Sequence, residues 1–202
     1  MSTATYQPKA EEVKKLRELT DAPMMDCRKA LVEANGDLDK AKTVLQERGA
    51  AQAQKKAERV ANEGLVASYI HAGGKIGVLV EVNSETDFVA RNPKFGELTR
   101  DIAMHIAAMS PQYVDRESVP ADVVEKARAE FAAGVPAGKP PEVAQKIVEG
   151  KLNKWYEEHV LLDQPFVKDD SQSVSDLINS VVGVLGEKIR VRRFTKFALG
   201  EQ

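Results

Sequence analysis

A single cysteine, Cys27, stands in the 202 residues, so an intrachain disulfide is excluded and a reducing compartment is expected. Aromatic residues make up only 5% of the chain, and its three histidines, His71, His105 and His159, are far apart in sequence. No His-Glu-x-x-His or paired-cysteine spacing occurs, so neither a metal nor a cofactor is expected. A Gly-x-Ser-x-Gly elbow is also missing. Gly138-Lys139 lacks the rest of a phosphate loop: Ala133 occupies the place of its first glycine and Pro140 that of its Ser or Thr. Without a catalytic constellation, the chain is not expected to be an enzyme. No apolar run approaches the roughly 20 residues of a membrane helix. The opening Met-Ser-Thr-Ala-Thr-Tyr-Gln-Pro has no basic segment followed by an apolar run, so no signal peptide is read and a cytoplasmic location is expected. The net charge is −2, which predicts no bulk attraction to nucleic acid or to an acidic membrane.

What the chain does hold is 43% hydrophobic and 30% charged residues, the balance of a soluble, helix-rich protein. The pattern divides near residue 50. Val13, Leu16 and Leu19 mark a first helix. Cys27, Ala30, Leu31 and Ala34 mark a second, and Leu38, Ala41, Val44 and Leu45 a third. Asp21-Ala22-Pro23 and Asn35-Gly36 separate them; Asp37 suits the N-cap of the third helix and Gly49 its stop. Residues 8–50 are thus expected to form a three-helix docking module, with Cys27 as a buried, inert thiol. Residues 51–63, rich in Ala, Gln, Lys and Glu, read as a helical linker.

Residues 64–202 read as an α+β core domain. Leu65 to His71 and Lys75 to Asn83 are strand-like runs joined through Gly73-Gly74, a hairpin signal. Helical patterns follow at about 93–109, 121–133, 140–149, 151–160 and 174–185. Lys188 to Leu199 alternates as a third strand that would complete the hairpin. The expected result is a small antiparallel sheet covered by helices.

Glu81 to Asn92 is the most informative stretch. The alternation of Ile76, Val78, Val80 and Val82 ends in a polar corner carrying Asp87 beside Phe88, and Pro93 then opens a helix. Such corners often hold functional residues, because a rigid scaffold aims a short loop. On residues alone, Phe88 either folds into the core or is offered to a partner. Burial is favoured, since covering the ring is worth about 2–3 kcal/mol. His105 shares an apolar stripe with Leu98, Ile102 and Met109, which favours a satisfied core histidine. Met24 and Met25 are adjacent and cannot share one helix face, so at least one points outward. Lys188, Arg190, Arg192, Arg193 and Lys196, interleaved with Phe194 and Phe197, form either a solvated strand face or an RNA-binding surface.

Several segments, in order along nearly the whole chain, carry a family resemblance. They are Lys15-Leu-Arg-Glu-Leu-Thr20 with Met24-Met-Asp-Cys-Arg-Lys-Ala-Leu31, Thr86-Asp-Phe-Val-Ala-Arg91, Ile102-Ala-Met-His-Ile-Ala107, Gln164-Pro-Phe-Val167, and Gly186-Glu-Lys-Ile189 with Arg192-Arg-Phe194. Together they resemble the bacterial elongation factor Ts family, whose members exchange guanine nucleotide on elongation factor Tu. The resemblance implies that Thr86, Asp87, Phe88 and Val89 intrude on the GTP-binding domain of elongation factor Tu, where they dislocate Mg²⁺, and that Phe88 is exposed. It implies further partner contacts at Ile76 and His105. A ubiquitin-associated-like N-terminal module would add Leu16, Arg17, Met24 and Met25. The family reads Thr-Gly-Ala-Gly-Met-Met where this chain has Thr20-Asp-Ala-Pro-Met-Met25, and glycine admits the positive φ that Asp accepts less well and Pro forbids. The chain is also short for the family, with one fused core half, so a homodimer through the sheet is expected. RNA binding by the C-terminal strand is the alternative function.

Overall fold

The computed structural model describes residues 6–136 and 138–201, so part of the opening segment read for a signal peptide lies outside the described residues. The protein is α+β: eight α-helices accompany a three-stranded antiparallel sheet and a separate two-stranded hairpin among the described residues. The chain gathers into two compact units. One takes the residues up to Val66 with Glu81–Thr99 and Asp176–Arg190; the other takes Ala67–Val80, Arg100–Ser175 and the residues from Val191 onward.

The first unit opens with α1 (Ala10–Thr20), α2 (Met24–Glu33) and α3 (Leu38–Lys55). Their apolar stripes converge: Val13, Leu16, Cys27, Ala30, Leu31 and Ala41 are buried, with Leu38, Val44 and Leu45 packed on them. Burial pushes the Cys27 thiol pKa up, in line with an inert cysteine. Asp37 caps α3 by accepting from the N–H groups of Asp39 and Lys40 at 3.0 and 3.1 Å. Two expectations fail here. Leu19 is exposed rather than part of the stripe. Gly49 does not stop α3, which runs on to Lys55 with Gly49 buried inside it. Residues 51–55 are therefore the end of α3, and residues 56–62 are turn and irregular chain rather than a continued helix.

The sheet orders its strands β1 (Glu63–Ile70), β2 (Ile76–Ser84), β5 (Arg190–Ala198). β2 buries Val78, Val80 and Val82, as the alternation requires. Gly64 holds φ 140°, and a Cβ there would lie 2.1 Å from the Val82 carbonyl oxygen, so only glycine allows this approach. After β2 come α4 (Asp87–Ala90) and α5 (Pro93–Met109).

In the second unit α6 (Ala121–Ala133) and α7 (Pro141–His159) pack as a helical pair around Val119, Ala127, Leu152, Tyr156 and Val160. The two patterns expected at 140–149 and 151–160 form one helix. Gly150 costs about 1 kcal/mol in a helix interior. The stripe Val148, Leu152, Tyr156 passes through at intervals of four and buries on one face. The hairpin β3 (Pro165–Phe166) and β4 (Asp169–Ser173) is too short and polar to be read from periodicity. α8 (Val174–Leu185) then leads to β5. No described helix is long and apolar enough to cross a membrane.

Candidate partner-binding turn

Strand β2 delivers the chain to the corner with Val82, Asn83 and Ser84 all buried. Glu85 follows, and Thr86 turns the chain with extended φ and ψ of −128° and 157°, as an N-cap does. Its hydroxyl oxygen accepts the Val89 N–H at 3.4 Å, and its carbonyl accepts the Ser84 hydroxyl at 2.9 Å. One helical turn results, Asp87 to Ala90. Asn92 accepts the Lys94 N–H at 2.9 Å through Oδ1 and opens α5 beyond it.

The turn separates its side chains sharply. Val89 and Ala90 are each 5% exposed, while Phe88 is 79% exposed. The burial favoured from residue type alone is thus overturned for Phe88, and the exposure implied by the family resemblance is what the turn shows. A one-turn helix has one inward side, and Val89 and Ala90 take it. Asp87 pairs with Arg91 at 2.7 Å, both largely in solvent. Such an exposed pair is worth about 0–1 kcal/mol and is easily surrendered to another partner.

The turn is anchored to Gly186–Lys188, a segment about a hundred residues away in sequence. The Thr86 N–H donates to one Glu187 carboxylate oxygen at 3.0 Å and its hydroxyl donates to the other at 2.7 Å. In return the Lys188 N–H donates to Glu85 at 2.6 Å, and Arg59 reaches Glu85 at 3.2 Å. The Lys188 N–H above all, then Arg59, hold the Glu85 carboxyl below its usual range. The Lys188 ammonium donates to the carbonyls of Ala57 and Arg59, and Lys56 to that of Gly186. Glu85 and Glu187 were not singled out from the sequence, and Lys188 was read only as part of the basic strand that follows. Gly186-Glu-Lys-Ile189 belonged to a family-like segment, but nothing in the sequence linked it to Thr86.

The remaining predicted contacts fall differently. Met24 and Met25 are exposed at the start of α2, 47% and 59%, beside a shallow groove lined by Met25, Arg28, Lys29, Val32 and Glu33. Arg17 is exposed, whereas Leu16 is fully buried in the three-helix core. Asp21 takes the left-handed conformation, φ 53°, at the end of α1, and its carboxylate pairs with Lys94. Pro23, with φ −54°, N-caps α2 without strain.

In the second unit Ile76 is half-buried and His105 is fully buried. The Val167 N–H donates to His105 Nδ1 at 3.2 Å, so the ring proton sits on Nε2 and is given to Gln164 Oε1 at 2.9 Å. Gln164 passes its amide proton to the Glu158 carbonyl at 2.9 Å. Burial lowers the His105 pKa. This is the satisfied core histidine that the stripe favoured. Among the described residues, no group of three His, Cys, Asp or Glu side chains is placed to hold a metal ion.

The profile of the family described as "Elongation factor TS" matches residues 3–201. Elongation factor Ts of Koribacter versatilis is 56% identical over 193 residues, covering 95% of this chain and 88% of that protein. The Anaeromyxobacter protein of the same name is 57% identical over the same shares. That of Thermodesulfovibrio yellowstonii is 52% identical over 192 residues, covering 95% of this chain and 96% of its own.

Proposed function

The chain belongs to the elongation factor Ts family and is a translation elongation factor, and on that premise we propose that it releases GDP from elongation factor Tu. The observation that carries this reading is Phe88, 79% exposed on a turn held at both ends. Keeping such a ring in water forfeits about 2–3 kcal/mol that burial against a partner returns.

No bond is made or broken by this chain. A GTPase holds GDP through Mg²⁺ and a loop around the phosphates. Phe88 acts as an apolar wedge beside that site. Asp87, released from Arg91, places a carboxylate where it disturbs the groups that hold the ion. Phosphate charge left without its metal weakens nucleotide binding. Coupling is reciprocal, so an incoming nucleotide weakens the grip of the exchange factor by the same factor.

Within this reading, Thr86 both caps the turn and, being exposed, touches the partner, while Val89, 5% exposed, acts by building the turn. Arg17, Met24 and Met25 supply exposed docking contacts, and Leu16 shapes the helices that carry them. Ile76 offers a half-buried apolar contact. His105 acts from inside, by holding the β3–β4 turn at Val167. The factor works in the cytoplasm, and two copies associate through the sheet, whose strands expose Ile70, Leu79 and Phe197. A monomer mass from light scattering at micromolar concentration would remove the dimer.

The decisive experiment is release of a fluorescent GDP analogue from elongation factor Tu with and without the protein. Marked acceleration, lost in the Asp87→Ala, Phe88→Ala double variant, is the expected result. No acceleration by the folded chain would sink the exchange reading and direct attention to RNA binding by β5.

A further inference from the structure

Glu187 carries no assigned contact with the partner, yet both its carboxylate oxygens are engaged by Thr86. Oε2 accepts the backbone N–H at 3.0 Å and Oε1 accepts the hydroxyl at 2.7 Å. Hydrogen bonds to an ionised acceptor are about twice as strong as neutral ones. The bond to the hydroxyl also has a directional effect. With its proton committed to Glu187, the Thr86 oxygen turns lone pairs toward the Val89 N–H, which it meets at 3.4 Å. The cap that starts α4 is thereby oriented from outside the turn.

That orientation decides which side chain is offered to solvent. Successive residues of an α-helix project about 100° apart. Slipping this single turn by one position would exchange the buried Val89 for the exposed Phe88. A second bond runs in the opposite sense, from the Lys188 N–H to Glu85 at 2.6 Å. The pairs Glu85–Lys188 and Thr86–Glu187 therefore fix the corner at two successive residues, so that it cannot pivot about one.

We propose that Glu187 is a positioning residue for nucleotide exchange: by holding the N–H and hydroxyl of Thr86, it sets the direction in which Phe88 meets the GTPase. This rests on the exchange reading above.

The test is stimulated GDP release from elongation factor Tu, measured against factor concentration for the wild type, Glu187→Ala, Phe88→Ala and the double variant. Glu187→Ala is expected to lower the saturating rate about tenfold while moving the half-maximal concentration less than about threefold. In the Phe88→Ala background the same change is expected to have a markedly smaller effect, because only the aim of Asp87 is then left to lose. Glu187→Gln, which keeps one acceptor oxygen, should fall between wild type and Glu187→Ala; it also serves if the alanine variant fails to fold. Independent, multiplying losses would reduce Glu187 to a purely structural role and overturn the inference. So would an undiminished rate in Glu187→Ala beside an active wild type. An inactive wild type would sink the exchange reading, and this inference with it.

Discussion

Gly49 of α3 and Asn179 of α8 approach so closely that a Cβ on Gly49 would lie 2.7 Å from the Asn179 carbonyl oxygen. Gly183, one turn further along α8, also faces it: a Cβ there would lie 3.4 Å from the Gly49 Cα. The two helices thus cross backbone against backbone, which explains why a glycine sits in the middle of α3.

A Gly49→Ala variant tests this crossing. At an open helix position the change would gain about 1 kcal/mol from helix propensity. Here the added carbon meets backbone that has no rotamer to yield, and overpacking costs about 1–3 kcal/mol. The net expectation is a loss near 1 kcal/mol, a fall of about 2–4 °C in thermal midpoint for a chain of this size. Melting followed by circular dichroism measures it, and a raised midpoint would show that the helices separate freely.

Asp21 adopts φ 53° as the left-handed cap of α1, with its N–H donated to the Arg17 carbonyl at 2.7 Å. Aspartate is among the few non-glycine residues that enter this region readily. Asp21→Gly removes the backbone strain but also the exposed pair with Lys94, worth about 0–1 kcal/mol. The two nearly offset each other, so its stability should stay within about 0.5 kcal/mol of wild type. Asp21→Ala keeps the strain and loses the pair, and should be less stable than the glycine variant by about 1 kcal/mol. Urea unfolding midpoints compare the two. Equal midpoints would show that the left-handed cap has no bearing on stability.

His105 predicts a pH dependence of stability. Its folded pKa lies below the ordinary 6.5, chiefly because burial disfavours the charged ring. The unfolded chain therefore binds a proton first as pH falls. The contribution of the neutral ring is complete above about pH 6.5 and is lost as pH drops from there toward the folded pKa. Protonation would also place a second N–H against the Val167 N–H, which now donates to Nδ1. The thermal midpoint should fall between pH 7.5 and pH 5.5, and fall less in a His105→Gln variant once the carboxylate background common to both is subtracted. An identical pH profile in the two proteins would exclude His105 as the source.

Much of the fold was legible because burial on one side of a helix or strand leaves a period in the sequence. α5, α6 and α8 occupy the spans 93–109, 121–133 and 174–185 that their stripes mark. β1, β2 and β5 fall within a residue or two of the runs Leu65 to His71, Lys75 to Asn83 and Lys188 to Leu199. The glycines misled, because Gly49 and Gly150 resemble punctuation when only neighbours in sequence are considered. One serves a helix crossing that no local pattern reports, and the other is carried by a stripe that continues past it. The β3–β4 hairpin was missed because strands of two and five residues carry no period to read.

The turn at Thr86 to Val89 was legible as a place but not as an arrangement. Residue types and spacing marked a polar corner after a half-buried strand, with a carboxylate beside a ring. Whether that ring faced inward or outward depended on which of Phe88, Val89 and Ala90 the surrounding residues could cover. By itself the sequence determined where most of the helices and the three strands of the main sheet form, since propensity, caps and apolar periodicity act between residues close along the chain. Only the tertiary structure decided that Glu187 would hold Thr86, that Gly49 would meet Asn179 and that Phe88 would stay in water. Each depends on groups far apart in the chain being brought within bonding or van der Waals distance, which no periodicity encodes.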